Sequence, residues 1–221
     1  MECAGIAEAG GVKNVTQSLC KTLKHLGNNT TLFIPWYKCT SEKYITIASS
    51  KPQIATVDIC GEETCFSYIK AVSKDGGYNI IFISHPCFSE KEDVYVYTSH
   101  EEELDPNHKK GTGHEDTLFK NTLFAKACAK YLQFETESTK PHVIHCQDAS
   151  TALVPLFFND NQVKSVVTIH NAGPAYHHYF NSIEEAAWYT GEKPDFFADC
   201  VNDGKPEPFL IAPKKGAKLT T

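Results

Sequence analysis

The sequence has no excess of basic residues and no long apolar run. Its 221 residues include 21 lysines and arginines against 27 aspartates and glutamates, which gives a formal net charge of -6 and a pI near 5.9. Nucleic-acid and membrane-surface proteins usually need a basic face. No stretch approaches the ~20 apolar residues of a transmembrane helix, and no secretory leader pattern opens the chain. We therefore expect a cytoplasmic protein with neither a nucleic-acid nor a membrane partner.

Several catalytic and cofactor motifs are also missing. There is no G-x-S-x-G, so a hydrolase serine is unsupported. Neither G-x-x-x-x-G-K-[ST] nor G-x-G-x-x-G occurs, which argues against nucleoside triphosphate and dinucleotide sites of those types. The nine cysteines are scattered, and an odd number without a leader favours free thiols in a reducing cytosol. The closest pair, in "CGEETC", lacks zinc-ligand spacing, so we expect no metal and no cofactor.

The spacing of apolar residues predicts helices alternating with strands. From Gly11 to Leu26 it is helical, and Gly27 follows as a C-terminal stop. The buried stripe of this helix would consist of Val12, Val15, Leu19, Leu23 and Leu26. "TTLFIPWY", "HVIHC" and "SVVTIH" each predict a buried strand, and "ASTALVPLFF" predicts a helix between the last two. A further helix is predicted from Asp116 to Leu132.

The middle of the chain is predicted to be extended. "KYITIA", "QIATVDI", "CFSYIKAV", "YNIIFIS" and "VYVYT" alternate or run apolar, which indicates strands partly paired in hairpins. "SHEEELDPNHKKGTGHED" is polar and predicts a loop. Apolar strands that alternate with helices require a parallel sheet covered on both faces. We therefore predict an α/β, Rossmann-like fold, and one domain over 1–221 because no repeat or linker interrupts the chain.

Polar residues cluster where three of the predicted strands end. They are Ser84 and His85, then His145, Gln147 and Asp148, then His170, Asn171 and Gly173. Ligands of open parallel sheets bind outside the carboxyl ends of the strands. Each cluster taken alone also fits a capped helix start or a satisfied buried histidine, and Asp148 is a good N-cap for the helix after it. Three clusters at equivalent positions favour a ligand site.

A glycine pair opens the first helix, in "AGIAEAGGVKNVTQSL". Gly10 and Gly11 would let the backbone approach a ligand, and the N-terminus of a helix favours a phosphate. The hydroxyl and amide groups at the strand ends suit a sugar instead. The sequence therefore predicts binding of both kinds of group.

The order of the motifs resembles that of the glycogen and starch synthases, retaining glucosyltransferases of the two-lobed GT-B fold. "ECAGIAEAGGVKNV" resembles the family's E-x-A-P-x-x-K-x-G-G-L-G-D-V, and "GHEDTLFKNTLFAKACAKYL" resembles its D-N-x-x-R-F helix. "PHVIHCQDASTALVP" resembles P-D-[IV]-[IV]-H-x-H-D-W-x-[ST]-A-L, and "VVTIHNAG" resembles the T-I-H-N turn. "TTLFIPWY" and "GAKLTT" resemble strands of the same lobe. The resemblance extends over the whole chain.

The resemblance implies the N-terminal lobe of an enzyme that transfers glucose from ADP-glucose or UDP-glucose to an α-glucan, without a metal or cofactor. In that frame the chain begins one strand late and ends before the second lobe, so that it is a fragment, inactive by itself. The family frame implies that seven residues bind the donor and acceptor, none with an assigned proton-transfer role. They are Gly10, Gly11, Asp116, Gln147, Asp148, His170 and Asn171, and Lys13 is an eighth candidate that departs from the family pattern.

The sequence also departs from the family pattern. The departures are Glu8, Lys13, Asn14, Lys120, Gln147 and Ala149. Glu8 replaces a lysine, and a carboxylate about 4 Å from a phosphate would repel it by ~4 kcal/mol at an effective dielectric of ~20. Lys13 could supply the lost charge, or it could be a solvated surface lysine.

Two alternatives to the enzyme remain open. The departures at Glu8 and Gln147 fit a catalytically silent relative that binds glucan or regulates a partner. An unrelated nucleotide-binding α/β domain would explain the strand-and-helix pattern without the family motifs.

Overall fold

The computed structural model describes residues 1–49, 51–134, 139–158, 160–173 and 176–221. These residues form two compact units. The first comprises Met1–Ala55 and Cys65–Asp116, and the second comprises Thr56–Thr64 and Thr117–Thr221. The organisation as one domain stays a prediction.

A mixed sheet organises the first unit. The helices are α1 (Val12–His25), α2 (Pro86–Ser89) and α3 (Ser99–Leu104), and the strands are β1 (Thr31–Pro35), β2 (Ile45–Ile47), β3 (Gln53–Ile59), β4 (Glu62–Ser73) and β5 (Asn79–Ser84). Residues 56–59 of β3 and 62–64 of β4 are counted with the second unit. The sheet order is β1-β5-β4-β2, and β3 pairs with β4. β1 and β5 are parallel, whereas β4 is antiparallel to β5 and to β2. β5 is buried over four consecutive residues and supplies the centre of the core.

A parallel sheet organises the second unit. Its helices are α4 (Thr117–Gln133), α5 (Val154–Phe157), α6 (Ile183–Thr190), a 3₁₀ helix (Pro194–Phe197) and α7 (Pro208–Lys214). Its strands are β6 (Val143–Gln147), β7 (Lys164–Thr168), β8 (Val201–Asn202), β9 (Lys205–Pro206) and β10 (Lys218–Thr220). The sheet order is β10-β7-β6, with both pairs parallel, and β8 and β9 form a separate antiparallel hairpin. The mixture of parallel strands and helices confirms the predicted α/β class.

Residues 94–98 and 99–116 differ from the prediction. "VYVYT" is not a strand, and only Val96 forms an isolated bridge, to Gly113. Asp93 bends this segment because its Oδ1 accepts the backbone N–H groups of Tyr95 (2.9 Å) and Val96 (3.4 Å). The predicted loop contains α3, because Thr98 and Glu101 form a capping box in which each side chain binds the other's backbone N–H.

The predicted buried stripe of α1 is wrong at Val15 and Leu26, whereas Val12, Leu19 and Leu23 are half-buried and the helix itself is confirmed. Thr16 and Cys20 are the buried residues, whereas Val15 is 43% exposed and Leu26 is 69% exposed. The side chains of residues four apart share one helix face. Thr16 can be buried there because its hydroxyl donates to the Val12 carbonyl at 3.0 Å, which satisfies its polar group.

Two predictions for the β6–α5 segment are also wrong. β6 was expected to be buried, but Val143 is 54% exposed because β6 is an edge strand of its sheet. The helix predicted over residues 149–158 is restricted to α5, and the turns before it use hydrogen bonds between residues three apart. Pro155 lies in the first turn of α5, where its missing N–H leaves no helical hydrogen bond broken.

Candidate functional site

The ends of β6 and β7 lie side by side. Gln147, the last residue of β6, is the register partner of Thr168, the last residue of β7. Parallel strands in register bring their carboxyl ends to the same edge of a sheet. The two polar turns that follow these strands are therefore neighbours, as the sequence predicts.

Asp148 joins the two turns. Its Oδ1 accepts the backbone N–H groups of His170 at 2.7 Å and of Asn171 at 3.3 Å, and its own N–H donates to the Thr168 carbonyl at 2.8 Å. Asp148 has a φ of 58°, a left-handed conformation that costs a residue with a Cβ free energy but that aspartate tolerates better than most. The N-cap interpretation is wrong, since the carboxylate binds the β7 turn and α5 begins only at Val154.

Side chains on the two turns are also connected directly. The ring of His170 places Nε2 2.6 Å from Gln147 Oε1, and because an amide oxygen only accepts, Nε2 carries the proton. Thr151 fixes the backbone of Gln147: the Thr151 hydroxyl accepts the Gln147 N–H at 2.7 Å and lies 2.8 Å from the Gln147 carbonyl oxygen. Asn171 Oδ1 in turn accepts the N–H of Gly173 at 2.8 Å.

Three polar residues that sequence reasoning did not assign to the site lie in this unit. Asn121 Nδ2 donates to His178 Nδ1 at 2.9 Å, which makes Nδ1 an acceptor. Burial, followed by the charge of Lys120, lowers the pKa of His178 to about 4, while the Asp148 charge opposes this shift. His178 also has a left-handed φ of 53°. Strained, buried polar residues concentrate at functional sites, but no local sequence pattern indicates a left-handed histidine.

The glycine loop of the first unit is held by an internal carboxylate. Glu2 is buried, and its Oε2 accepts the N–H groups of Ala9 at 3.1 Å and Gly10 at 2.6 Å. A Cβ on Gly10 would lie 3.0 Å from Glu2 Oε1, so the glycine allows this close approach. Gly11 is the N-cap of α1 and makes no side-chain cap hydrogen bond.

Glu8 and Lys13 form an ion pair beside this loop. Their charged atoms are 2.9 Å apart, and Glu8 Oε1 also accepts the Gly5 N–H at 2.7 Å. The Gly5 hydrogen bond, followed by the pair with Lys13, lowers the pKa of Glu8. The charge of Glu8 is therefore balanced by Lys13, whose Nζ is engaged within the loop.

The remaining predicted residues lie elsewhere in the first unit. Asp116 pairs with Lys91, with Nζ 3.3 Å from Oδ2. His85 is the N-cap of α2, and its Nδ1 accepts the Cys87 N–H at 3.1 Å. The strand end at Ser84 and His85 is thus a capped helix start.

The structure brings the predicted residues into separate groups. Gln147, Asp148, His170 and Asn171 form one hydrogen-bonded cluster, whereas Gly10 and Gly11 directly precede α1 and Lys13 lies in its first turn. The first group offers amide, imidazole and carboxylate groups, which suit the hydroxyls of a sugar. Their roles in binding stay a prediction.

Other site types receive no candidates. Within the described ranges, His, Cys, Asp and Glu side chains do not gather into a group that could hold a metal ion. All nine cysteines are free thiols. Of the helices that the structure describes, none has the length and apolarity to cross a membrane.

Comparison with known proteins gives consistent matches. Residues 1–205 match the family described as starch synthase catalytic domain. The glycogen synthase of Mycoplasma mobile is 31% identical over 176 residues, covering 77% of this chain and 33% of that protein. The glycogen synthase of Gloeobacter violaceus is 26% identical over 193 residues, covering 86% and 36%. The chain therefore spans about a third of the length of the curated relatives it matches.

A solved structure shares the fold. The catalytic domain of starch synthase IV from Arabidopsis thaliana, bound to ADP and acarbose, superposes with a TM-score of 0.69 at 20% identity. The match covers 96% of this chain and 41% of that one. At this identity the likeness shows the fold alone.

Proposed function

The chain belongs to the starch synthase catalytic domain family, and from this we propose that it is part of a glucosyltransferase that elongates an α-1,4-glucan from a nucleotide sugar. The relatives it matches are named glycogen synthases. The solved neighbour was bound to ADP and acarbose, which supports a nucleotide-sugar donor and a glucan acceptor. ADP-glucose and UDP-glucose are both retained as donors.

The observation that carries this proposal is the joined pair of turns after β6 and β7. One Asp148 oxygen binds the backbone of both His170 and Asn171, and Gln147 binds the His170 ring. These contacts hold several polar groups in a fixed arrangement, which lowers the conformational entropy that the site itself would otherwise lose when a polyhydroxyl ligand binds. We assign Gln147, Asp148, His170 and Asn171 to the glucose and the acceptor, with no proton-transfer role.

In the first unit we assign the loop before α1 to the donor phosphates. Gly11 precedes a 14-residue helix whose first turn contains no acidic residue, and the N-terminus of such a helix favours an anion. Gly10 and Lys13 are assigned with it, and Asp116 to the sugar and acceptor. Because the chain spans about a third of its relatives, we propose that it has no transferase activity alone. We also propose a cytoplasmic location.

A silent glucan-binding or regulatory relative is the second candidate. It is favoured by the loop before α1, where Glu2 already accepts the N–H groups of Ala9 and Gly10 and Glu8 already binds Lys13. Because the Ala9 and Gly10 N–H groups and the Lys13 cation already have partners within the chain, they are less available to bind a phosphate.

Calorimetry on the chain separates the two candidates. It is titrated with ADP-glucose, with UDP-glucose and with a maltooligosaccharide, and Asp148→Ala is compared with Asp203→Ala. Asp203 is a matched control because it too is a left-handed aspartate, with a φ of 49°, in the β8–β9 turn. Donor binding that Asp148→Ala weakens and Asp203→Ala leaves intact supports the enzyme. Binding of maltooligosaccharide alone supports the silent relative, and binding of none of the ligands contradicts the assignment of donor and glucan sites to this chain.

A further inference from the structure

We infer that His177, held as an imidazolium by Glu207, positions the turn Asn171–Gly173 for ligand binding. The ring bridges two parts of the second unit: Nδ1 binds Glu207 Oε1, and Nε2 lies 2.8 Å from the Ala172 carbonyl oxygen. The inference that this turn binds sugar rests on the proposed function. The bridge itself rests only on these contacts.

The bridge requires a doubly protonated ring. A carboxylate oxygen and a carbonyl oxygen both accept hydrogen bonds and donate none. A neutral imidazole has only one N–H, so it could satisfy only one of the two. His177 therefore bridges Glu207 and Ala172 as a cation, and loss of one proton breaks one side of the bridge.

Aromatic neighbours restrict the orientation of the ring. His177 stacks on Tyr179 with ring centroids 4.9 Å apart and an interplanar angle of 4°, and the Phe209 ring lies edge-on at 5.9 Å. The Tyr179 hydroxyl is itself held by Asn202 Nδ2 at 3.0 Å. These contacts restrict rotation of the ring that meets both acceptors.

Glu207 is a fixed anchor for this bridge. Its N–H donates to the Cys200 carbonyl at 2.9 Å, and its own carbonyl accepts the N–H groups of Leu210 and Ile211 at the start of α7. Its side chain is 6% exposed and that of His177 is 13% exposed. A buried carboxylate needs a partner, and His177 supplies it.

The other end of the bridge is the turn itself. Ala172 lies between Asn171, whose N–H binds Asp148 Oδ1, and Gly173, whose N–H binds Asn171 Oδ1. His177 thus adds a contact on the Ala172 carbonyl to a turn that Asp148 holds at its start. Without it, Ala172 loses a hydrogen bond that connects the turn to Glu207 at the start of α7.

The surrounding charges favour the cation near neutral pH. Burial opposes the charged ring, but the hydrogen bonds to Glu207 and to the Ala172 carbonyl outweigh it and raise the pKa of His177. Among the described residues, the other titratable groups at the ring are its chain neighbour His178 and the stacked Tyr179. The pKa of His178 is lowered to about 4, and burial raises that of Tyr179, so both are neutral there. Because the folded pKa of His177 is raised, the bridge is complete below its ordinary value of about 6.5 and is lost as the pH rises through the raised pKa.

NMR of the ¹⁵N-labelled chain tests the bridge without any ligand. The histidine ring nitrogens and the amides of Ala172 and Gly173 are followed from about pH 5 to about pH 9, the range in which histidines titrate. We expect His177 to titrate above about 6.5, and both amides to share its midpoint. Glu207→Gln keeps the shape and removes the charge, and it should lower the midpoint by about one unit, tenfold in proton affinity.

Glu185→Gln is the matched control. This carboxylate accepts the Asn181 N–H and lies in the first turn of α6 in the same unit, so its replacement should leave the His177 midpoint unchanged. If the amides of residues 172 and 173 do not titrate with the midpoint of His177, the inference is wrong. An unchanged midpoint in folded Glu207→Gln also overturns it. If Glu207→Gln does not fold, the shared midpoint in the parent chain decides.

Ligand binding is a separate arm of the test. Affinity for ADP-glucose or for a maltooligosaccharide should fall at least fivefold as the pH rises through the shared midpoint. A shared midpoint with pH-independent affinity would leave the bridge standing and refute its role in binding. If the chain binds neither ligand, the assignment of ligand sites to this chain fails, and the NMR titration still decides whether His177 positions the turn.

Discussion

The carboxylate of Asp148 accepts the backbone N–H of His170 at 2.7 Å, although the two residues lie on different turns. The same oxygen accepts the Asn171 N–H at 3.3 Å. Asp148 therefore has two requirements to meet, a left-handed backbone and a side-chain acceptor. Aspartate and asparagine can meet both, whereas glycine meets only the first and alanine meets neither.

We expect substitutions of Asp148 to rank by these two requirements. Asp148→Asn keeps a tolerated backbone and an oxygen acceptor, so it should cost less than about 1 kcal/mol of unfolding free energy. Asp148→Gly relieves the backbone but removes the acceptor, and it should cost about 1 kcal/mol. Asp148→Ala loses the acceptor and keeps the strain, so about 2–3 kcal/mol is expected. Urea unfolding monitored by circular dichroism measures the order, and a result with Gly worse than Ala would contradict the strain argument.

Glu2 is expected to stabilise the loop before α1. Glu2→Ala removes the acceptor of the Ala9 and Gly10 N–H groups. Both residues are exposed, so water replaces part of the lost bonding, and we expect a cost of about 1–2 kcal/mol. Glu63→Ala, on an exposed part of β4, is the control and should change unfolding by less than about 0.5 kcal/mol. If Glu2→Ala and Glu63→Ala unfolded at the same urea concentration, Glu2 would not stabilise the loop.

Lys13→Ala is expected to weaken nucleotide-sugar binding tenfold or more, about 1.4 kcal/mol. Two causes would act together: a lost lysine–phosphate contact and an unmasked Glu8 carboxylate, since Lys13 pairs with Glu8 at 2.9 Å. Calorimetry with ADP-glucose measures the change. Unaltered affinity in Lys13→Ala would make Lys13 a structural partner of Glu8 and nothing more.

The double variant Glu8→Ala/Lys13→Ala separates these causes. If the unmasked carboxylate repels the donor, removal of Glu8 as well should restore affinity to within about threefold of the parent. If a lysine–phosphate contact is lost, the double variant should bind as weakly as Lys13→Ala. If the parent chain binds no donor and Glu8→Lys does bind it, the silent relative is favoured.

His178 should make the chain less stable in mild acid. Burial and then the Lys120 charge lower its pKa to about 4, against about 6.5 in an unfolded chain. Between those values the unfolded state binds more protons, so stability falls as the pH drops from about 6.5 to about 4, by about 3 kcal/mol in total. His178→Asn tolerates the left-handed backbone and cannot titrate, so its stability should change less over this window. If the unfolding free energies of the parent chain and of His178→Asn, measured in urea, changed equally with pH, the lowered pKa of His178 would be contradicted.

We expect no glucosyl transfer by this chain alone. The purified chain is incubated with glycogen and labelled ADP-glucose or UDP-glucose, and a heat-killed sample serves as the control. Label in the glucan above that control would refute the expectation.

Much of the secondary structure follows from local patterns. Apolar spacing predicts the positions of five elements: α1, α4, β1, β5 and β7. It can do so because helical and extended periodicities depend only on residues close together in the chain. The α3 capping box was also present locally, in Thr98 and Glu101, but the polar composition around it favoured a loop. A specific helix N-terminal signal thus outweighs the polar composition of the surrounding residues.

The sequence by itself determined that polar groups follow β6 and β7, and the order of its motifs determined the family. Only the tertiary structure decided that the Asp148 carboxylate binds the β7 turn instead of capping the helix after it. It likewise decided that His177 meets Glu207, which lies 30 positions away in the chain. The physical reason is that such contacts depend on strand register and on the packing of distant segments. No short window of sequence contains both partners.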